Sequence, residues 1–144
     1  MTTIIRLAAA VAVSLAASLP ALAEETKPAS EAQPIPVLHC EFKAVSACSP
    51  DGTCKPGKDL AGMPLPIKAT VDFENTVVAA LDETGFARTD NIDAVADSGG
   101  QLIVHGIDRA FAWQIVVHNS SPAASITFSS ADTVVTGFGT CGRK

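Results

Sequence analysis

The sequence predicts an all-β domain: a single small antiparallel meander of six to eight strands, closed as a barrel or left as a curved sheet, and stapled by two disulfides. Three observations predict it. Apolar residues recur with a period of two along most of the chain, turn-forming clusters interrupt them at short intervals, and four cysteines follow an export-type N-terminus.

The N-terminus sets the compartment. Met1 to Arg6 is short and positively charged, Leu7 to Leu19 is an apolar run of 13 residues (7 through 19), and Ala21-Leu22-Ala23 is an A-x-A cleavage box followed by Glu24-Glu25. Such a run is shorter than the roughly 18 to 20 residues that a bilayer span requires. The expectation is a signal peptide over 1–23, cleavage near Ala23, no membrane span, and a periplasmic or secreted product of 144 − 23 = 121 residues.

Removing that segment also removes Arg6, leaving 10 − 1 = 9 Lys plus Arg against 15 Asp plus Glu, a net charge of −6. No basic stripe of the kind that binds nucleic acid is present, and phosphate backbones or anionic membrane surfaces would repel the chain. Residues 24–36, EETKPASEAQPIP, hold a single aliphatic side chain beyond alanine, Ile35, and read as a flexible leader. Residues 37–144 then form one β-domain, of a size at which disulfides supply a visible share of the stability.

Strands follow in order. Leu38, Cys40, Phe42 and Ala44 alternate with His39, Glu41 and Lys43; Ile67, Ala69, Val71 and Phe73 alternate with Lys68, Thr70 and Asp72. Val77, Ala79 and Leu81 follow a turn at Glu74-Asn75, and QLIVHGI forms another run from Gln101. Phe111, Trp113, Ile115 and Val117 share a face opposite Ala112, Gln114 and His118, and Ile126, Phe128, Val134, Thr136 and Phe138 continue the pattern. Turns fall at PDG (50–52), DETG (82–85), DSGG (97–100), NSSP (119–122) and SAD (130–132). Val77 to Leu81 or Asn91 to Ala96 could instead form one short helix.

Four cysteines allow three connectivities. Cys48 and Cys54 flank SPDGT, whose Pro-Asp-Gly turn folds the chain back, so the preferred pairing is Cys48 with Cys54 and Cys40 with Cys141. Cys40–Cys54 with Cys48–Cys141 ranks second. On the chain-entropy model the small ring is worth about 2 kcal/mol and a closure of roughly 100 residues about 4.7 kcal/mol. Spacings of seven and five intervening residues match no zinc knuckle, and an oxidising compartment would oxidise the thiolates, so no cysteine-held metal or other cofactor is expected.

Chemistry elsewhere is sparse. His105 and His118 are metal or proton-shuttle candidates if their strands pair around Asp108-Arg109 and bring the imidazoles together, though histidines on a half-exposed face are the commoner case. Asp108 and Arg109 read as an exposed turn, with a second reading as a partner-binding loop. Five carboxylates, Asp82, Glu83, Asp90, Asp93 and Asp97, could attract calcium but lack an EF-hand loop. No GxSxG, HExxH, Walker or GxGxxG motif occurs, so no catalytic residue is assigned. Trp113 sits mid-strand on the apolar face, a core position.

The segments CEFKAVSACSPDGTC, IDR at 107–109 and the terminal GFGTC at 137–141 resemble those of small exported proteobacterial proteins with three early cysteines and a final Gly-Thr-Cys strand. The resemblance implies the staple and the meander and carries no activity. A looser similarity to lipocalin-like periplasmic inhibitors of lysozyme or protease extends to size, export, β-content and an end-to-end disulfide.

Together these point to a non-catalytic periplasmic β-module that binds a periplasmic protein or a small apolar ligand, inhibition of a periplasmic hydrolase being one concrete form. A small metal-dependent or hydrolytic enzyme using His105 and His118, and an envelope structural or stress protein without a pocket, are the alternatives.

Overall fold

The computed structural model describes residues 37–109 and 111–143; the signal peptide and leader expected over 1–36 lie outside them. Twelve strands follow one another: β1 (Leu38–Cys48), β2 (Cys54–Pro56), β3 (Asp59–Leu60), β4 (Met63–Pro64), β5 (Ile67–Asp72), β6 (Val77–Leu81), β7 (Ala87–Asn91), β8 (Ala94–Ser98), β9 (Gln101–Asp108), β10 (Phe111–His118), β11 (Ala123–Ser129) and β12 (Val134–Arg143). All pairings are antiparallel. The main sheet runs β7-β6-β5-β1-β12-β11-β10-β9-β8, with β2 added on β1, and it curls into a half-barrel.

Ten strands rather than six to eight make up the main sheet. Cys54–Pro56 adds a short strand to β1, and the two segments that could have been helical are extended. Val77–Leu81 pairs on both sides, with β5 and with β7, so two ladders satisfy its backbone and its β-branched start suits the pleat. In the 91–96 segment the Asp93 amide donates to the His105 carbonyl at 2.9 Å, and β8 continues from there along β9.

The expected turns close the hairpins. At DSGG, Gly99 and Gly100 both take positive φ, 62° and 77°, the backbone that a two-residue hairpin between twisted strands requires. At 72–75 the Asp72 carboxylate accepts from both the Asn75 amide and its side chain. A bulge at Lys43 shifts the β1–β12 register between Phe42 and Ala44, so that Val45 rather than Ala44 turns inward.

Inward positions fill one core. Leu38, Phe42, Ile67, Val71, Val104 and Ile115 are almost wholly buried, each side chain of this kind contributing about 1.5–3 kcal/mol. The β3–β4 hairpin, which the alternation pattern did not reveal, buries Leu60 and Met63 in the same core and lays Leu60 against Gly137 of β12.

Both disulfides of the preferred pairing are formed. Cys40 and Cys141 stand directly opposite in the β1–β12 register with Cα atoms 4.0 Å apart. The Cys141 amide donates away from β1, to the Pro122 carbonyl at 2.8 Å, which makes this a non-hydrogen-bonded pair, the position at which opposed side chains come closest. Cys48 and Cys54 close the SPDGT hairpin, where the Asp51 carboxylate accepts the Thr53 amide at 2.9 Å.

Candidate functional site

The place where the sheet curls back on itself is the one with the most unusual chemistry. After β7 the chain turns through Ile92 and Asp93 into β8, which pairs with β9, so β7 comes to lie beside the C-terminal half of β9. No backbone ladder joins β7 to β9 among the described residues. They come close at Gly106, where an added Cβ would stand 2.5 Å from the Asn91 carbonyl oxygen and 2.6 Å from the Trp113 ring. Glycine is therefore needed there, both to admit the end of β7 and to leave room for the indole.

Beyond Gly106, Arg88 of β7 bridges the seam. Its guanidinium bonds the Asp108 carboxylate of β9, approaches Asp90 two residues along its own strand at 3.4 Å, donates to the Ala61 carbonyl at 3.5 Å and stands 5.7 Å from the centre of the Phe128 ring. One side chain thus ties β7, β9, β11 and the β3–β4 hairpin together. Arg88, Asp90 and Asp108 are each less than a quarter exposed, so solvent screens these contacts less than it does a surface pair.

Two spaces meet at Arg88 and Asp90. Inward lies a cavity of about 30 Å³ lined by apolar side chains including Phe42, Met63, Ile126 and Trp113. It has room for a water molecule or two and none for an organic ligand, whose sites run to several hundred Å³. The Trp113 indole N–H, buried beside it, has no hydrogen-bond partner among the described residues. Outward lies a cleft of about 490 Å³ between Ala61-Gly62, Phe86 and Phe111, floored by Arg88, Asp90 and Asp108 and flanked by Arg109. Phe86 is 57% exposed there. A wider hollow of about 830 Å³ over the outer surface of β1, β5 and β6 is open to solvent and mixes alanines with His39, Glu41 and Lys68.

The residues singled out in the sequence fare differently. Asp108 and Arg109 do form the β9–β10 turn, Arg109 with φ of 52°, and both line the cleft. They are not an exposed charged couple, however: Asp108 turns inward along the core face of β9 and is taken by Arg88. His105 and His118 do not meet. His105 lies opposite Gln114 and His118 opposite Gln101, four positions further along β10 or roughly 13 Å, both on the exposed outer face. His118 Nδ1 instead accepts the Ser120 amide at 3.2 Å.

The five carboxylates disperse as well. Asp82 is buried as the cap of the DETG turn, accepting from the Thr84 hydroxyl at 2.6 Å and from the Thr84 and Phe86 amides; the Thr84 hydroxyl first, and then these amides, hold it below its ordinary 3.8 against the opposing effect of burial. Asp90 faces Arg88, and Asp97 accepts from the Asn119 side chain at 3.0 Å. No three His, Cys, Asp or Glu side chains among the described residues converge on a point where a metal ion could sit.

Arg88 and Phe86 were not singled out by sequence reasoning. A signal existed: ARTDN alternates, so Arg88 and Asp90 share one face, and pairing with β6 puts that face beside Val78 and Ala80 on the inside. Comparison of the chain with models of known protein families and with curated proteins finds no match.

Proposed function

We propose that this protein is a non-catalytic, exported binding module that holds a loop of a protein partner in the cleft beside the β7–β9 seam. The observation that carries this reading is the cleft's composition. Two phenylalanines, one largely exposed, stand with Arg109 over a floor of Arg and Asp side chains, and aromatic residues with arginine are what protein interfaces concentrate at their centres. The cleft carries two positive groups, Arg88 and Arg109, and two negative ones, Asp90 and Asp108, so an inserted loop meets donors and acceptors for its backbone while its side chain packs on the rings.

A small apolar ligand held inside the barrel is the less favoured form, because the interior cavity is about 30 Å³. The enzymatic alternative loses support from the separation of His105 and His118 on the outer face. Two disulfides accord with export to an oxidising compartment, and no described helix is long and apolar enough to cross a membrane.

Periplasmic extract passed over immobilised protein tests the reading. The expected result is a partner, hydrolases included, retained by the wild type and lost from a Phe86→Ala/Arg109→Ala variant of unchanged melting temperature. Equal retention by both, or none by either, would remove the cleft as the binding site.

A further inference from the structure

Charge is distributed unevenly around the barrel. Residues opposite each other in an antiparallel ladder share a face, so the registers assign every outward position of β9, β10, β11 and β12. None of them is Asp, Glu, Lys or Arg; they are Ala, Ser, Thr, Gln, Gly, Val, Ile, Phe and two His. Among the described residues the fixed charges lie instead on turns, on the outer side of β1 and β5, in the seam, on the short strands β2 and β3, and at Asp97 and Arg143, which take inward register positions of β8 and β12. Across the middle of the uncharged face one row of side chains runs through six strands: Ala96, Ile103, Val116, Ser125, Phe138 and Ala44. Phe138 in that row is 52% exposed and Ile107 nearby 69%.

We infer that this face is the contact through which two copies of the chain pair as a symmetric dimer. The chain carries a net charge of −5, so two copies repel each other unless they meet where neither presents a carboxylate. A self-complementary, isologous contact needs such a face, whereas a charged partner of another kind would be met by opposite charge. Size agrees: the five strands β8 to β12, whose outward positions carry no charge, and the length of an eight-residue strand make a patch on the order of 25 Å on each side, roughly 600 Å² per copy and about 1,200 Å² for the pair, the lower end of specific interfaces. Pairing through the free edge of β8 is opposed, since an antiparallel pairing centred on Val95 would set Asp93 of one copy against Asp97 of the other.

Gln114 is exposed on β10 near the centre of the face, where a two-fold axis brings a residue against its own copy. Sedimentation velocity of the purified chain across micromolar concentrations is expected to show a dimer. Gln114→Lys and Gln114→Glu should each weaken it by about tenfold or more, because like charges then oppose across the axis, and an equimolar mixture of the two should restore it. Ala112→Lys and Ala112→Glu repeat the test one row away if circular dichroism shows that a Gln114 variant has not folded. Wild-type protein that stays monomeric at the highest concentration overturns the inference, as does a dimer indifferent to both charge pairs.

Discussion

Arg88 and Asp108, twenty residues apart in sequence, form an ion pair across the junction of β7 and β9, which no backbone ladder closes among the described residues. The pair replaces the hydrogen bonds that a further strand would supply. Arg88 also stands, with Asp90, where the apolar cavity meets the open cleft, so the arginine that ties the seam shapes its candidate site as well.

Removing the bridge leaves two carboxylates, each largely shielded, without their cation. Arg88→Ala is expected to lower unfolding stability by about 2–3 kcal/mol, less than the full loss at a deeply buried pair because the seam is partly open to water. Arg88→Lys should fall between, retaining the charge but not the planar fork that reaches Asp108, Asp90 and Ala61 together. Urea denaturation of both, with Asp108→Asn and the double variant to complete the cycle, checks this; a coupling between Arg88 and Asp108 near zero would show that the pair is only incidental.

Gly106 is a tight point of the same seam. Gly106→Ala forces a methyl against the Asn91 carbonyl and the Trp113 ring, and overpacking of this kind costs about 1–3 kcal/mol. Trp113 is the chain's single tryptophan and is buried, so its emission should lie in the blue in the wild type and move to the red in this variant as the indole is displaced. An unshifted spectrum at unchanged stability would contradict the packing described here.

The two disulfides should differ in weight. Replacing Cys40 and Cys141 together by Ala opens a closure of 101 residues and should cost about 4–5 kcal/mol, while replacing Cys48 and Cys54 should cost about 2 kcal/mol. Thermal melts of the two double variants rank them; equal losses would mean that the unfolded chain is already compact near its ends.

Acid should act through the turn-capping aspartates. Asp82, Asp72 and Asp51 all have pKa values held below the ordinary 3.8, by hydrogen bonds from Thr84, Asn75 and Thr53 respectively. A depressed folded-state value means that the carboxylate binds its proton more readily in the unfolded chain. The contribution is therefore complete above the unfolded value, near 4, and is lost as pH falls through the folded one. Asp82→Asn should be less stable than the wild type at neutral pH and should lose less on going from pH 5 to pH 2. Parallel stability curves for the two proteins would rule out Asp82 as a contributor.

Much of the fold was legible in the chain because a strand declares itself locally. A period of two places Phe111, Trp113, Ile115 and Val117 on one side whatever the strand pairs with, and the Gly-Gly and Pro-Asp-Gly turns restrict the backbone by sterics alone. The same locality made the Cys48–Cys54 ring readable, and left Cys40 for Cys141.

What the chain could not declare depends on register and curvature, which are properties of several strands at once. Whether His105 and His118 meet is decided by four residues of offset along β10. Whether Asp108 is a solvated turn residue or the partner of Arg88 is decided by how far the sheet curls before β7 reaches β9. By itself the sequence determined the all-β class and the turns and ranked the cysteine pairings; the tertiary structure alone decided between those pairings, and decided that a charged seam, rather than a histidine pair, is where the barrel offers a site. The physical reason is that alternation and turn sterics act within a few residues, whereas the seam exists only because strands distant in sequence are brought round to face each other.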